Sequence, residues 1–185
     1  MESEIFRLKQ EGNQHYQSKD FFEAKRIYSD AINLSQSESC ESMIQSQLYA
    51  NRAACCLLLN EFEECVSDCD KAIELQKPYP KVRLRKVAAL KQLNKFNDAL
   101  KEIKNACEED PEINATHRNE IKELEQKAAE ETERLKNEAL GSLKDLGNKF
   151  LGMFGMSTDN FKLNKNGEGG YNIQFVNNKE SKDEN

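Results

Sequence analysis

The sequence predicts an all-α fold: three stacked helix–turn–helix repeats, a long capping helix, and a short, partly irregular C-terminal extension. Three observations carry the prediction. First, a motif recurs. DFFEAKRIYSDAI, EFEECVSDCDKAI and KFNDALKEIKNAC align on Phe21, Ala24 and Ala31, on Phe62, Cys65 and Ala72, and on Phe96, Ala99 and Ala106. Second, the later two copies lie 34 residues apart, a period typical of stacked supersecondary units. Third, 32% of the 185 residues are charged, only 37% are hydrophobic and only 3 are Pro. That balance suits a chain with much exposed helical surface.

Each repeat reads as two helices. The first pair covers 9–18 and 21–34, joined around Ser18-Lys19-Asp20, with Asp20 and Glu23 as acids that cap the second helix. The second pair covers 43–59 and 62–75, joined by Asn60-Glu61; the third covers 79–93 and 96–109, joined by Asn94-Lys95. Copies one and two are 41 residues apart, and the polar run SQSESCES at 35–42 takes up the excess as a surface loop or helix extension. Small residues at the aligned positions let paired helices approach closely. Pro78 and Pro111 stop one unit and begin the next. No single unit can bury its apolar face, but three stacked units can.

Beyond Pro111 the residues Ile121, Leu124, Ala128, Thr132 and Leu135 form one narrow stripe among Glu, Lys, Gln and Asn. A helix over 113–139 is expected, capping the stack, with a coiled-coil seam as the alternative. From Leu140 the composition shifts to an apolar, Gly-punctuated stretch, with a helix break at Gly152 or Gly155 and a turn over 158–161. Alternation at Phe161 and Leu163, then at Tyr171, Ile173 and Phe175, predicts a hairpin around Asn166-Gly167. A lone hairpin is marginal in water. The aromatic residues Phe150, Phe154, Phe161, Tyr171 and Phe175 are therefore candidates for docking or partner contact. The expected domains are 2–139 for repeats and cap, 140–176 for the extension, and 177–185 as a disordered polar end.

The first helix of each pair lines the concave face of such a stack. Lys9 and Asn13 are four apart, as are Lys81 and Arg85, so each pair shares a helical face. Asn51 and Arg85 are 34 apart and hold equivalent places in successive repeats. These five side chains converge on one wall. Lys and Arg supply charge, Arg can hold a carboxylate through two parallel bonds, and Asn donates without adding charge. The set fits a ligand with two closely spaced carboxylates, such as a C-terminal Asp. Tyr16, Tyr28 and Ala54 are candidates for apolar subpockets, with core packing an equal alternative for the tyrosines.

Other chemistry is disfavoured. The net charge of −6 argues against a nucleic-acid partner, and the two histidines are far apart in the chain. The six cysteines read as thiols in a reducing compartment; Cys65 and Cys69 take packing positions, so no metal site is expected. No phosphate loop, catalytic carboxylate pair or nucleophile elbow occurs, so neither an enzyme nor a cofactor is expected. MESEIFRLKQEGN lacks the shape of a signal peptide, and no run of 18 apolar residues occurs, so a cytoplasmic location without a membrane span is expected.

The period and pattern over 2–110 resemble the tetratricopeptide repeat (TPR), although no Trp is present and Cys65, Cys69 and Val87 replace commoner choices. KxxGN (Lys9, Gly12, Asn13), NRA (Asn51, Arg52, Ala53) and KxxxRKxxAL (Lys81, Arg85, Lys86, Ala89, Leu90) look like the dicarboxylate clamp of chaperone-binding TPR domains. The resemblance implies a co-chaperone whose clamp, Lys9, Asn13, Asn51, Lys81 and Arg85, holds the Glu-Glu-Val-Asp terminus of the 70 and 90 kDa heat-shock chaperones. The tail, LKDLGNKFLGMFGMSTDNFKLNKNGEGGYNIQFVNN, resembles that of the tetratricopeptide repeat protein 1 family. A second, unidentified protein partner is expected through that tail. The alternative is a signalling scaffold that binds a folded partner by its convex face or tail.

Overall fold

The computed structural model describes residues 4–37, 40–165 and 171–176. Three antiparallel helix pairs follow one another: α1 (Glu4–Gln17) with α2 (Phe21–Ser37), α3 (Ser42–Leu58) with α4 (Phe62–Leu75), and α5 (Pro80–Gln92) with α6 (Phe96–Glu109). The short α7 (Glu112–Thr116) and the long α8 (Arg118–Gly152) come next. A 3-10 turn at Thr158–Asn160 leads into β1 (Phe161–Lys165) and β2 (Tyr171–Phe175). The chain divides into two compact units that meet between Thr132 and Glu133.

One turn chemistry closes all three pairs. Lys19, Asn60 and Asn94 have φ of 65°, 61° and 55°. In each case this left-handed residue donates its N–H three residues back, and the next residue donates five back: Lys19 to Tyr16 and Asp20 to His15, Asn60 to Leu57 and Glu61 to Cys56, Asn94 to Lys91 and Lys95 to Leu90. This is a Schellman closure, which satisfies the carbonyls that the helix end leaves open. Asn tolerates the left-handed region better than most residues, whereas Lys19 adopts it without that advantage. Asp20 Oδ1 then accepts the Glu23 N–H at 3.3 Å and caps α2.

The recurring small residues all lie in the core. Ala24, Cys65 and Ala99 are fully buried, as are Ala31, Ala72 and Ala106. A first cluster joins Ile5, Tyr28, Ile32, Leu48 and Cys55; a second joins Cys56, Cys65, Cys69, Ile73 and Val82; a third joins Val87, Leu90, Ile103 and Leu124. The neighbours Cys55 and Cys56 therefore serve different clusters, as successive positions on a helix must. Ion pairs join the two helices within a pair. Arg52 grips the buried carboxylate of Asp68 through two bonds of 2.8 and 2.7 Å. Thirty-four residues on, Lys86 meets Glu102 at 2.9 Å, and Arg83 joins the same Glu102 at 2.7 Å.

The capping region departs from a single helix over 113–139. Thr116 Oγ1 bonds back to the carbonyls of Glu112 and Ile113, His117 leaves helical geometry, and a new helix starts at Arg118. That helix runs past residue 139 to Gly152, because Gly141 and Gly147 are tolerated inside it. The stripe is buried at Leu124 and Ala128, but Leu135 is 47% exposed. Thr132 bonds to the Asn97 side chain at 3.2 Å.

The second unit is held by polar links. Gly152 ends α8, and Gly155, at φ 71°, sits in the left-handed position of a Schellman closure from Met156 to Leu151, so both glycines share the break. Asn148 Oδ1 accepts the N–H and hydroxyl of Thr158 at 2.6 and 2.8 Å. Asn160 and Val176 exchange two bonds of 2.7 and 2.9 Å, which close the open end of the hairpin. The strands pair antiparallel with Phe161 opposite Phe175 and Leu163 opposite Ile173. The Asn166-Gly167 turn and the polar end at 177–185 lie outside the described residues.

Candidate functional site

Helices α1, α3 and α5 present one face of the first unit, and a cleft of about 270 Å³ opens between them. Asn13, Tyr16 and Gln17 line it from α1, Tyr28 from α2, Asn51 and Ala54 from α3, and Lys81 and Arg85 from α5. Four of the five residues expected to form the polar wall are thus brought together, along with all three candidates for its apolar part. No acidic residue is among the lining side chains, although the chain as a whole carries a net charge of −6. An anion entering the cleft meets two cations and no carboxylate.

Lys9, the fifth, does not line the cleft. It lies one turn before Asn13 on α1, where its Nζ bonds Gln47 Oε1 at 2.6 Å and sits 5.6 Å from the centre of the Phe6 ring. Two glutamines escaped the sequence reading, Gln17 in the cleft and Gln47 beside Lys9. The signal for both was present. Gln17 continues the four-residue spacing of Lys9 and Asn13, and Gln47 stands four residues before Asn51.

The floor of the cleft is a small hydrogen-bonded network. The Tyr28 hydroxyl donates to Asn13 Oδ1 at 2.7 Å, and Asn51 Nδ2 donates to the same oxygen at 3.1 Å. Burial raises the Tyr28 pKa well above the usual phenol range, so its proton stays in place as a donor. The ring reaches this position because residue 12 is glycine. A Cβ there would stand 2.6 Å from Tyr28 Cε1. On the opposite wall Arg85 Nη1 donates to the Ala50 carbonyl at 2.7 Å, which leaves its other donors for a ligand. Lys81 is exposed and takes no partner among the described residues.

The cations that neighbour the cleft residues in sequence have different duties. Arg52 follows Asn51 but pairs with Asp68; Lys86 follows Arg85 but pairs with Asp70 and Glu102. These two hold the second helix of their own pair, and Lys86 also reaches Asp70 of the preceding pair. Of the tail candidates, Phe150 and Phe154 are each 65% exposed and meet at a tilt with ring centres 5.7 Å apart, and Phe161 meets Phe175 edge-on at 5.5 Å. Tyr171 falls in β2, and its side chain lies outside the described residues.

Cys56, Glu61 and Glu64 form one group whose ligand atoms lie within 4.8 Å of one another. The ammonium of Lys25 already sits among them, 2.6 Å from Glu61 and 2.5 Å from Glu64, and offsets one of their two charges. Burial pushes the Cys56 thiol far up and the Cys55 thiol up to about 11, so neither offers a thiolate near neutrality.

No protein-family model matches the chain. Mouse protein unc-45 homolog B is 33% identical over 110 residues, 60% of this chain and 11% of the mouse protein. The Hsp70/Hsp90 co-chaperone CNS1 of Saccharomyces cerevisiae is 37% identical over 92 residues, 50% of this chain and 23% of the yeast protein. The chain thus corresponds to less than a quarter of the length of either relative. Among solved structures, the first TPR of Spaghetti (RPAP3) bound to an HSP90 peptide superimposes with a TM-score of 0.58 at 27% identity, covering 68% of this chain and 93% of that one. The chain therefore folds as a tetratricopeptide-repeat domain and is related in sequence to Hsp70/Hsp90 co-chaperones.

Proposed function

We propose that the chain is a non-enzymatic, cytoplasmic co-chaperone adaptor whose cleft captures the acidic Glu-Glu-Val-Asp terminus of a 70 or 90 kDa heat-shock chaperone. The observation that carries this reading is the acid-free cleft with Asn13 and Asn51 on one wall and Lys81 and Arg85 on the other. Arg85 and Lys81 hold the two terminal carboxylates, and the asparagine amides donate to them. Lys9 exchanges Gln47 for a ligand carboxylate one helical turn away. The relatives support the reading, since one is named as an Hsp70/Hsp90 co-chaperone and another is a TPR bound to an HSP90 peptide.

Calorimetric titration with the C-terminal peptides of both chaperones tests it. Several charge-assisted bonds in a partly desolvated cleft should give a Kd near the micromolar range, about −8 kcal/mol. The Lys81→Ala/Arg85→Ala variant should bind at least about tenfold more weakly, which is about 1.4 kcal/mol. Absence of binding by the wild type to either peptide overturns the reading.

A second partner through the C-terminal unit fits with the first reading. Leu140, Leu143, Leu146, Phe150, Met153 and Phe154 are all exposed around the end of α8, more apolar surface than single scattered residues provide. The resemblance of this tail to the tetratricopeptide repeat protein 1 family belongs to the same proposal. Among the described residues, no helix is long and apolar enough to cross a membrane. Removing residues 141–185 should leave the peptide Kd unchanged; a changed Kd would tie the tail to the cleft instead.

A further inference from the structure

The second unit has no core of its own. Ala128 is the last buried residue among those described, so from Glu133 onward every described side chain keeps some contact with solvent. The turn before the hairpin does not cover the apolar face of α8. Its polar links run to Lys144 and Asn148, which stand on another face than Leu143, Leu146 and Phe150. Leu140, Leu143, Leu146, Phe150, Met153 and Phe154 remain 55–80% exposed. At roughly 200 Å² for each such residue in full exposure, they present on the order of 800 Å². The largest apolar patch on a typical monomer is about 300–600 Å². Each partner in a standard interface contributes about 800 Å².

We infer that this face pairs with the same face of a second copy of the chain, the two ends of α8 lying antiparallel about a two-fold axis. Area, spacing and charge together select a second copy. Ala139, Leu143, Leu146 and Phe150 follow one another at intervals of four, three and four residues, so they share one face. Such alternation of three and four is the spacing at which two helices pack along a common seam. These intervals read the same in both directions. A copy turned by 180° therefore sets Leu143 against Leu146 and the large Phe150 ring against the small Ala139, as a self-complementary interface requires. Over 139–156 the charged residues are Lys144, Asp145 and Lys149, none of them on the apolar face. Two copies meet here with little repulsion, although each whole chain carries −6. The same sparse charge gives an anionic lipid surface little to hold. The inference rests on the reading of this surface as one that binds protein, and it names the occupant.

Sedimentation equilibrium on the full chain tests the pairing. We expect twice the 21.2 kDa of one chain, with a dissociation constant in the micromolar range. Leu143→Glu alters an exposed position, so it should keep the circular dichroism of the wild type and sediment as a single chain. Leu146→Lys makes the same break should the first variant fail to fold. A wild type that stays a single chain at about 100 μM overturns the inference. A dimer that survives both variants overturns it as well, since it forms elsewhere. Orientation has its own readout. Chains with Ala139→Cys, mixed with chains with Phe150→Cys and mildly oxidised, should cross-link to each other through the new thiols; peptide mass spectrometry separates these links from any at Cys40 or Cys107. Links between like positions overturn the antiparallel pairing. Flotation with phosphatidylcholine–phosphatidylserine vesicles keeps the two readings of the surface apart. A single-chain wild type that floats with them removes both the second copy and the protein-binding reading. One that does not float removes the second copy alone. The cleft is judged separately, because Leu143→Glu should bind the chaperone peptides with the Kd of the wild type.

Discussion

Gly12 and Tyr28 touch so closely that residue 12 has no room for a side chain: a Cβ would lie 2.6 Å from Cε1 and 2.9 Å from Cδ1 of the ring. Gly12→Ala gains helix propensity of about 1 kcal/mol. It also forces a fully buried ring to move, an overpacking cost of about 1–3 kcal/mol. We expect a net loss of stability of about 1 kcal/mol in urea titration, together with weaker peptide binding. A stabilised Gly12→Ala would mean the ring moves freely.

Neighbouring arginines should separate into stability and binding. Arg52→Ala leaves the Asp68 carboxylate buried without its partner, and such broken pairs cost about 3 kcal/mol. Arg85→Ala loses one bond to a backbone carbonyl, Ala50, and should cost about 1 kcal/mol or less. Peptide affinity should behave in the opposite way, falling in Arg85→Ala and holding in folded Arg52→Ala. Denaturant titration and calorimetry on both variants check the crossing pattern.

The ion pairs inside the third helix pair set an acid limit. Burial works to raise the Glu102 pKa, but the hydrogen bonds and charges of Lys86 and Arg83 outweigh it, and the net shift is downward from 4.5. A carboxyl held low in the folded state contributes stability that is present above its unfolded pKa and is lost as pH falls through the folded value. Stability should therefore decline as pH falls below about 4.5. Glu102→Gln should flatten that decline while lowering stability at neutral pH, as read from melting temperatures across a pH series.

Thiol accessibility follows the core. Cys55, Cys56, Cys65 and Cys69 are buried, while Cys40 and Cys107 are half-buried. Iodoacetamide on the native protein should alkylate Cys40 and Cys107 and reach the other four after unfolding, as peptide mass spectrometry would record. Native labelling of Cys55 would show that the contact between the first two repeats opens readily.

Much of this architecture was legible in the sequence because repeats impose local rules. Small residues had to recur at the helix crossings, a left-handed turn residue had to recur between paired helices, and four-residue spacing with a 34-residue period brought Asn13, Asn51, Lys81 and Arg85 to one cleft. Tertiary structure alone decided what each cation meets. Arg52 and Lys86 carry the same charge as Arg85, but a rotation of one residue, about 100°, turns them toward Asp68 and Glu102 on the second helices. The partner of Lys9, the hydroxyl that meets Asn13 and the helix break at His117 likewise depend on side chains that meet across helices or over a single turn. Periodicity assigns a residue to a face of its helix; only packing brings the donor or acceptor that determines what the residue does there.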